Sequence, residues 1–65
     1  MITRSETILI VEDDAQIRNF ISYVLQQEGF PHLSAGTAKN ALSLLVTNPV
    51  DLVLLDLGLP DGDGA

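Results

Sequence analysis

The sequence predicts an α/β domain in which helices cover a parallel sheet, with the element order β-α-β-α-β. Two short runs of β-branched and aliphatic residues, TILIV at residues 7–11 and LVLL at residues 52–55, are typical of parallel strands that are covered on both faces. The segments between them contain apolar residues at helical spacing. Because crossover connections are right-handed, the helices should lie on the faces of the sheet, which makes the fold doubly wound.

The first strand is predicted at Thr7–Val11 and the first helix from about Ala15 to Glu28. Asp14 is a suitable N-cap for this helix and Gly29 a suitable left-handed terminator. The apolar residues follow the i, i+3, i+4, i+7, i+8 spacing of one helical face. All five are expected in the core: Ile17, Phe20, Ile21, Val24 and Leu25.

The second half of the sequence predicts three further elements. His32–Ala35 follows a proline and suits an edge strand. Thr37 can cap a second helix, which Asn48 and the following proline end. Its predicted apolar face consists of Ala38, Ala41, Leu42, Leu45 and Val46. Asp51–Asp56 is predicted as a third strand, buried like the first.

Composition excludes several classes of protein. A hydrophobic fraction of 46% against 18% charged residues is too apolar for a disordered segment. Nine acidic and three basic residues give a net charge of -6, which opposes direct binding to nucleic-acid phosphates. There is no cysteine for a disulfide or a thiolate metal site, and no apolar stretch reaches the roughly 18 residues of a membrane span. A cytoplasmic location and no membrane contact are expected.

Six of the nine acidic residues lie in two short stretches, each after an aliphatic run: Glu12, Asp13, Asp14, Asp56, Asp61 and Asp63. In a sheet ordered two-one-three, strands one and three are neighbours, and ligands bind beyond their carboxyl ends. Glu12, Asp13 and Asp56 should therefore converge. A hard divalent cation such as Mg²⁺ would compensate their mutual repulsion. A carboxylate beside such an ion can attack a phosphoryl group and form an aspartyl-phosphate.

The strings ILIVEDDAQIR at residues 8–18 and DLVLLDLGLPDGDG at residues 51–64 resemble the receiver domain of bacterial two-component response regulators, most closely the OmpR/PhoB group. The resemblance implies a flavodoxin-like (CheY-like) fold and a phosphorelay function, with Asp56 as the phosphoacceptor. It implies four metal-binding residues: Asp13 as a direct Mg²⁺ ligand, Glu12 as a ligand through water, the backbone carbonyl of Gly58, and Asp56 itself. It further implies a sensor histidine kinase as partner, transcriptional control as the output, and no enzymatic activity beyond its own phosphotransfer.

Residues 1–65 would form only the N-terminal part of such a domain, with strands one to three and helices one and two. The family's Thr or Ser after strand four and Lys after strand five would have no counterpart among residues 1–65, and the output domain is expected to be absent from them. A second hypothesis is therefore a truncated fragment, incompetent for signalling, that acts only in folding or self-assembly. The exposed edge of strand three predicts a homodimer.

Other classes with acidic or glycine-rich loops fit less well. A dinucleotide-binding domain needs glycines after strand one, where Glu12 and Asp13 stand. A phosphatase of the haloacid dehalogenase type would have the motif Asp-x-Asp, in which the first Asp is the nucleophile and the second is the general acid. Here Gly58 stands two residues after Asp56, where the second Asp would be. An EF-hand needs more oxygen ligands than Asp61 and Asp63 supply.

Overall fold

The computed structural model describes residues 5–55 and confirms the predicted α/β architecture. Its three strands are all parallel, in the order β2-β1-β3. The elements along the chain are β1 (Ile8–Val11), α1 (Ala15–Gln27), β2 (His32–Ala35), α2 (Ala38–Thr47) and β3 (Leu52–Leu55). The observed bounds differ from the predicted ones by one residue at the start of β1, at the end of α1 and at the start of β3, while the predicted end of β3 at Asp56 lies outside the described residues.

The central strand β1 ends level with both of its neighbours. Val11 pairs with Ala35 of β2 on one side and with Leu55 of β3 on the other. The chain therefore leaves β1 between the carboxyl ends of β2 and β3, which is where ligands bind in open parallel sheets.

The core divides into two layers because successive side chains of β1 point to opposite faces of the sheet. Ile8 and Ile10 pack with Leu25 of α1. Leu9 packs with Ala41 of α2 on the other face. Leu9 and Ile10 are fully buried. The first apolar run therefore forms a strand that is covered on both faces, as predicted.

Both helices begin at the predicted capping residues. The Asp14 carboxylate accepts hydrogen bonds from the N–H groups of Gln16 at 2.8 Å and Ile17 at 3.2 Å. The Thr37 hydroxyl accepts one from the first turn of α2 at 3.1 Å. Gly29 ends α1 with a φ of 81°, a left-handed conformation that glycine adopts without steric cost. These local signals were sufficient to place the helix ends.

The predicted core face of α1 is wrong in part, because only its inner edge meets the sheet. Leu25 is buried and Ile21 packs beside it. Phe20 is 66% exposed, and Ile17 and Val24 are exposed as well. The helix packs against β1 and β2, so the part of its apolar face that extends beyond these strands has no covering layer within residues 5–55.

The predicted face of α2 is also wrong in part, because only Ala41 of its five residues is buried. The side chains that pack on the sheet are Ala41 and Leu44, whereas Leu42, Leu45 and Val46 are exposed, the last at 85%. Ala38 is exposed too. Apolar residues fill five of the six positions from 41 to 46, so spacing alone does not select a face, and packing against β1 and β2 decides it.

The third strand forms as predicted but is not buried. Leu52, Val53 and Leu55 are exposed, Leu55 at 57%. Leu54 packs beside the cluster of Ile8, Ile10 and Leu25, but neither helix lies directly over β3 within the described residues. Over the same residues the outer edge of β3 pairs with no strand. In that part of the chain no helix is long and apolar enough to cross a membrane.

Candidate functional site

The candidate site is built around the acidic turn, Glu12–Asp14, which joins β1 to α1. Val11 pairs with Leu55, so β1 and β3 end at paired positions. In the sequence, Glu12 follows Val11 and Asp56 follows Leu55. Asp56 and Gly58 lie outside the described residues, as do Asp61 and Asp63. The convergence of Glu12 and Asp13 with Asp56 thus stays a prediction.

Glu12 is held at three points and is only 2% exposed. Its backbone N–H donates to the Ala35 carbonyl at 3.0 Å, which extends the ladder with β2. Its Oε2 accepts from the Asp14 N–H at 2.8 Å. Its own carbonyl accepts from Nη1 of Arg18 at 2.8 Å. The start of the acidic turn is therefore fixed to β2, to the turn itself and to α1.

The three consecutive acids have different environments. Glu12 is buried and Asp14 caps α1, while Asp13 is exposed. The Asp14 carboxylate is thus occupied with the helix N-terminus, as predicted. Of the two candidate ligands that the structure describes, Asp13 has the side chain that solvent reaches.

The donors of the acidic turn fit a hard cation. Carboxylate oxygens are the ligands that Mg²⁺ and Ca²⁺ prefer, whereas softer metals select nitrogen or sulfur. Within residues 5–55 no group of three His, Cys, Asp or Glu side chains could hold a metal ion. Mg²⁺ usually binds one or two carboxylates and completes its octahedron with water and phosphate oxygens. Glu12 and Asp13 are therefore a sufficient beginning for such a site, but not a complete one.

Beside the site, an open depression of about 380 Å³ is lined by Val11, Ile21, Leu54 and Leu55. It lies between α1 and the carboxyl ends of β1 and β3. The side chains that line it are aliphatic, so none of them offers a ligand to a cation.

Sequence reasoning missed Arg18, which contacts two parts of the site. Besides the bond to Glu12, its guanidinium lies against Gly36, where an added Cβ would come within 3.1 Å of Nη1. The signal was available in the string ILIVEDDAQIR, in which Arg18 is the first basic residue after the acidic turn. Its role depends on which loop α1 faces, and that is a tertiary property.

The comparisons with known proteins agree on one family. The family model described as "Response regulator receiver domain" matches residues 8–65. The KDP operon transcriptional regulatory protein KdpE of Escherichia coli (strain K12) is 46% identical over 57 residues, 88% of this chain and 25% of that protein. Transcriptional regulatory protein PmrA of Pectobacterium parmentieri is 47% identical over 57 residues, 88% of this chain and 26% of that protein.

The phosphate regulon transcriptional regulatory protein PhoB of Escherichia coli (strain K12) is 44% identical over 57 residues, with 88% of this chain and 25% of that protein covered. The chain thus spans about a quarter of the length of these curated relatives. No solved structure matches it.

Proposed function

The chain belongs to the response regulator receiver domains of two-component systems, and we propose that Asp56 accepts a phosphoryl group while the acidic turn binds Mg²⁺. One observation carries the proposal: β1 and β3 are adjacent, parallel and in register, with Val11 opposite Leu55. Asp56 follows the second of these residues, and Glu12 follows the first. Adjacent strand ends of a parallel sheet bring such residues to one edge.

The different environments of the two described acids support different roles. Asp13 is exposed and suits direct coordination. Glu12 is buried and its Oε2 already accepts a hydrogen bond, which suits contact through water. The Gly58 carbonyl would be a further ligand. Bound Mg²⁺ would neutralise charge on the phosphoryl oxygens.

The proposed chemistry is a phosphoryl transfer to a carboxylate. An Asp56 carboxylate oxygen attacks phosphorus and forms the new P–O bond, while the bond from phosphorus to the donor breaks and the donor leaves with that electron pair. We propose a sensor histidine kinase as the donor, transcriptional control as the output of the complete cytoplasmic protein, and no reaction beyond this self-modification. Residues 1–65 would supply the N-terminal part of the receiver and no direct contact with nucleic acid.

Labelling with a small phosphodonor such as acetyl phosphate tests this function. The chain should gain one phosphoryl group in the presence of Mg²⁺, and Asp56→Asn should abolish the gain. Asp51→Asn is the matched control, because Asp51 flanks the other end of β3 and accepts a hydrogen bond from the Thr7 N–H at 2.8 Å. It should be labelled like the unmodified chain.

Labelling that persists in Asp56→Asn, or that needs no Mg²⁺, would contradict the proposal. A folded chain that takes no label under any of these conditions would favour the alternative, a folding or self-assembly module without signalling competence.

A further inference from the structure

Arg18 connects three segments that surround the acidic turn. Its Nη1 donates to the Glu12 carbonyl at 2.8 Å. Its backbone N–H donates to the Asp14 carbonyl at 2.9 Å. Its guanidinium also lies against Gly36, in the loop between β2 and α2. From its place in the first turn of α1, the Arg18 side chain thus joins the end of β1 to the loop after β2.

The bond to the Glu12 carbonyl bears directly on Asp13. That carbonyl belongs to the peptide plane that joins Glu12 to Asp13, and the plane is rigid. When a charged donor holds the oxygen, it sets the orientation of the plane and hence the position from which the Asp13 side chain extends. Hydrogen bonds with a charged partner are stronger than neutral ones, so Arg18 is well suited to hold this peptide.

Gly36 provides the space for the guanidinium. An added Cβ would lie 3.1 Å from Nη1 and 3.8 Å from Cζ of Arg18, and the shorter contact is tighter than packed atoms prefer. The φ of Gly36 is not positive, so its backbone conformation does not require glycine. The absence of a side chain at this position therefore matters through Arg18.

We propose that Arg18 is a positioning residue that holds the acidic turn in the shape needed for cation binding, and that Gly36 leaves the room it needs. Arg18 acts through the Glu12 carbonyl and does not itself touch the cation. The part of this inference that concerns cation binding rests on the proposed function, whereas the part that concerns the shape of the turn does not.

Mg²⁺ titration of the 65-residue chain tests the first part. Loss of a group that orients a metal ligand weakens metal binding by roughly 10–100-fold. Arg18→Ala should weaken Mg²⁺ binding by about 10-fold, the lower limit of this range. Arg18→Lys keeps the charge but lacks the planar fork, so its affinity should lie between that of Arg18→Ala and that of the unmodified chain. Lys39→Ala removes the same charge from an exposed site on α2 and should leave the affinity unchanged.

The sign of the effect separates positioning from charge. If Arg18 acted only by its charge, removing it would tighten Mg²⁺ binding, because like charges repel. Tighter or unchanged binding by Arg18→Ala would overturn the proposal.

Gly36→Ala is a milder variant that retains Arg18. It should weaken Mg²⁺ binding when Arg18 is present, because the guanidinium must shift by a few tenths of an ångström to make room for the new methyl group. In the Arg18→Ala background it should have no further effect, because there is no guanidinium to displace. Losses that add in the double variant would show that the two residues act independently and would refute their coupling.

Amide hydrogen exchange without metal tests the shape of the turn. The Asp14 N–H, which donates to Glu12, should exchange faster in Arg18→Ala and in Gly36→Ala, while the amides of α2 keep their protection. Unchanged exchange at Asp14, or equal acceleration throughout the fold, would refute a positioning role. If the unmodified chain binds no Mg²⁺, the proposed function fails, and exchange still decides the role of Arg18.

Discussion

Asp13 and Asp14 carry the same charge at adjacent positions, yet their removal should have opposite consequences. Asp14→Ala deletes an N-cap that accepts bonds from Gln16 at 2.8 Å and Ile17 at 3.2 Å. Loss of such a cap typically costs about 1 kcal/mol, within a range of roughly 0.5–2. In a domain of this size, a loss of about 1 kcal/mol lowers the thermal midpoint by about 4–8 °C.

Asp13→Ala should leave the free energy of unfolding in the absence of metal within about 0.5 kcal/mol of its original value, because the residue is exposed and caps no helix. It should instead abolish the stabilisation by Mg²⁺. A ligand that binds only the folded state contributes about 2.7 kcal/mol at 100 times its Kd. The unmodified chain and Asp14→Ala should both show this gain.

Thermal unfolding followed by circular dichroism, with and without Mg²⁺, measures both quantities. Asp14→Asn is the matched control, because asparagine caps a helix about as well as aspartate; it should recover the stability lost in Asp14→Ala. The reasoning would be refuted if Asp14→Ala lost the Mg²⁺ response, or if Asp13→Ala kept it.

Two further predictions follow from the packing of the sheet. Leu9→Ala, at a fully buried site, should lower the free energy of unfolding, measured in urea, by about 2–5 kcal/mol. Leu42→Ala, at an exposed site on α2, should change it by less than about 0.5 kcal/mol. Similar losses in both variants would contradict the assignment of Leu9 to the core and of Leu42 to the surface. The homodimer through the outer edge of β3 stays a prediction. Leu52 donates its N–H to the Thr7 carbonyl, and N–H groups alternate in direction along a strand, so the Val53 N–H points to the outer edge. Val53→Pro removes this donor and should abolish any dimer seen by sedimentation at several concentrations. A folded monomer of the unmodified chain at all concentrations would contradict it.

The sequence was sufficient for the element order, the helix ends and the strand that forms the centre of the sheet. Each of these depends on interactions between residues close in the chain. Asp14 and Thr37 bond to N–H groups within three residues, and Gly29 adopts its left-handed conformation by itself. An uninterrupted aliphatic run predicts a strand that has no polar face, but whether the strand is covered depends on its neighbours, because Ile8–Ile10 of β1 are buried while most of β3 is exposed. Glu12 and Asp13 could be placed beyond the carboxyl end of β1 because they directly follow the run TILIV in the sequence.

Only the tertiary structure decided which apolar side chains are covered and what holds the acidic turn. Spacing identifies the apolar face of a helix, but the width of the sheet beneath it decides how much of that face is buried, so Phe20 is exposed while Leu25 is not. The contacts of Arg18 with the Glu12 carbonyl and with Gly36 join segments that α1 and β2 separate along the chain. Contacts of this kind depend on the position of a whole helix over the sheet, which no local sequence pattern specifies.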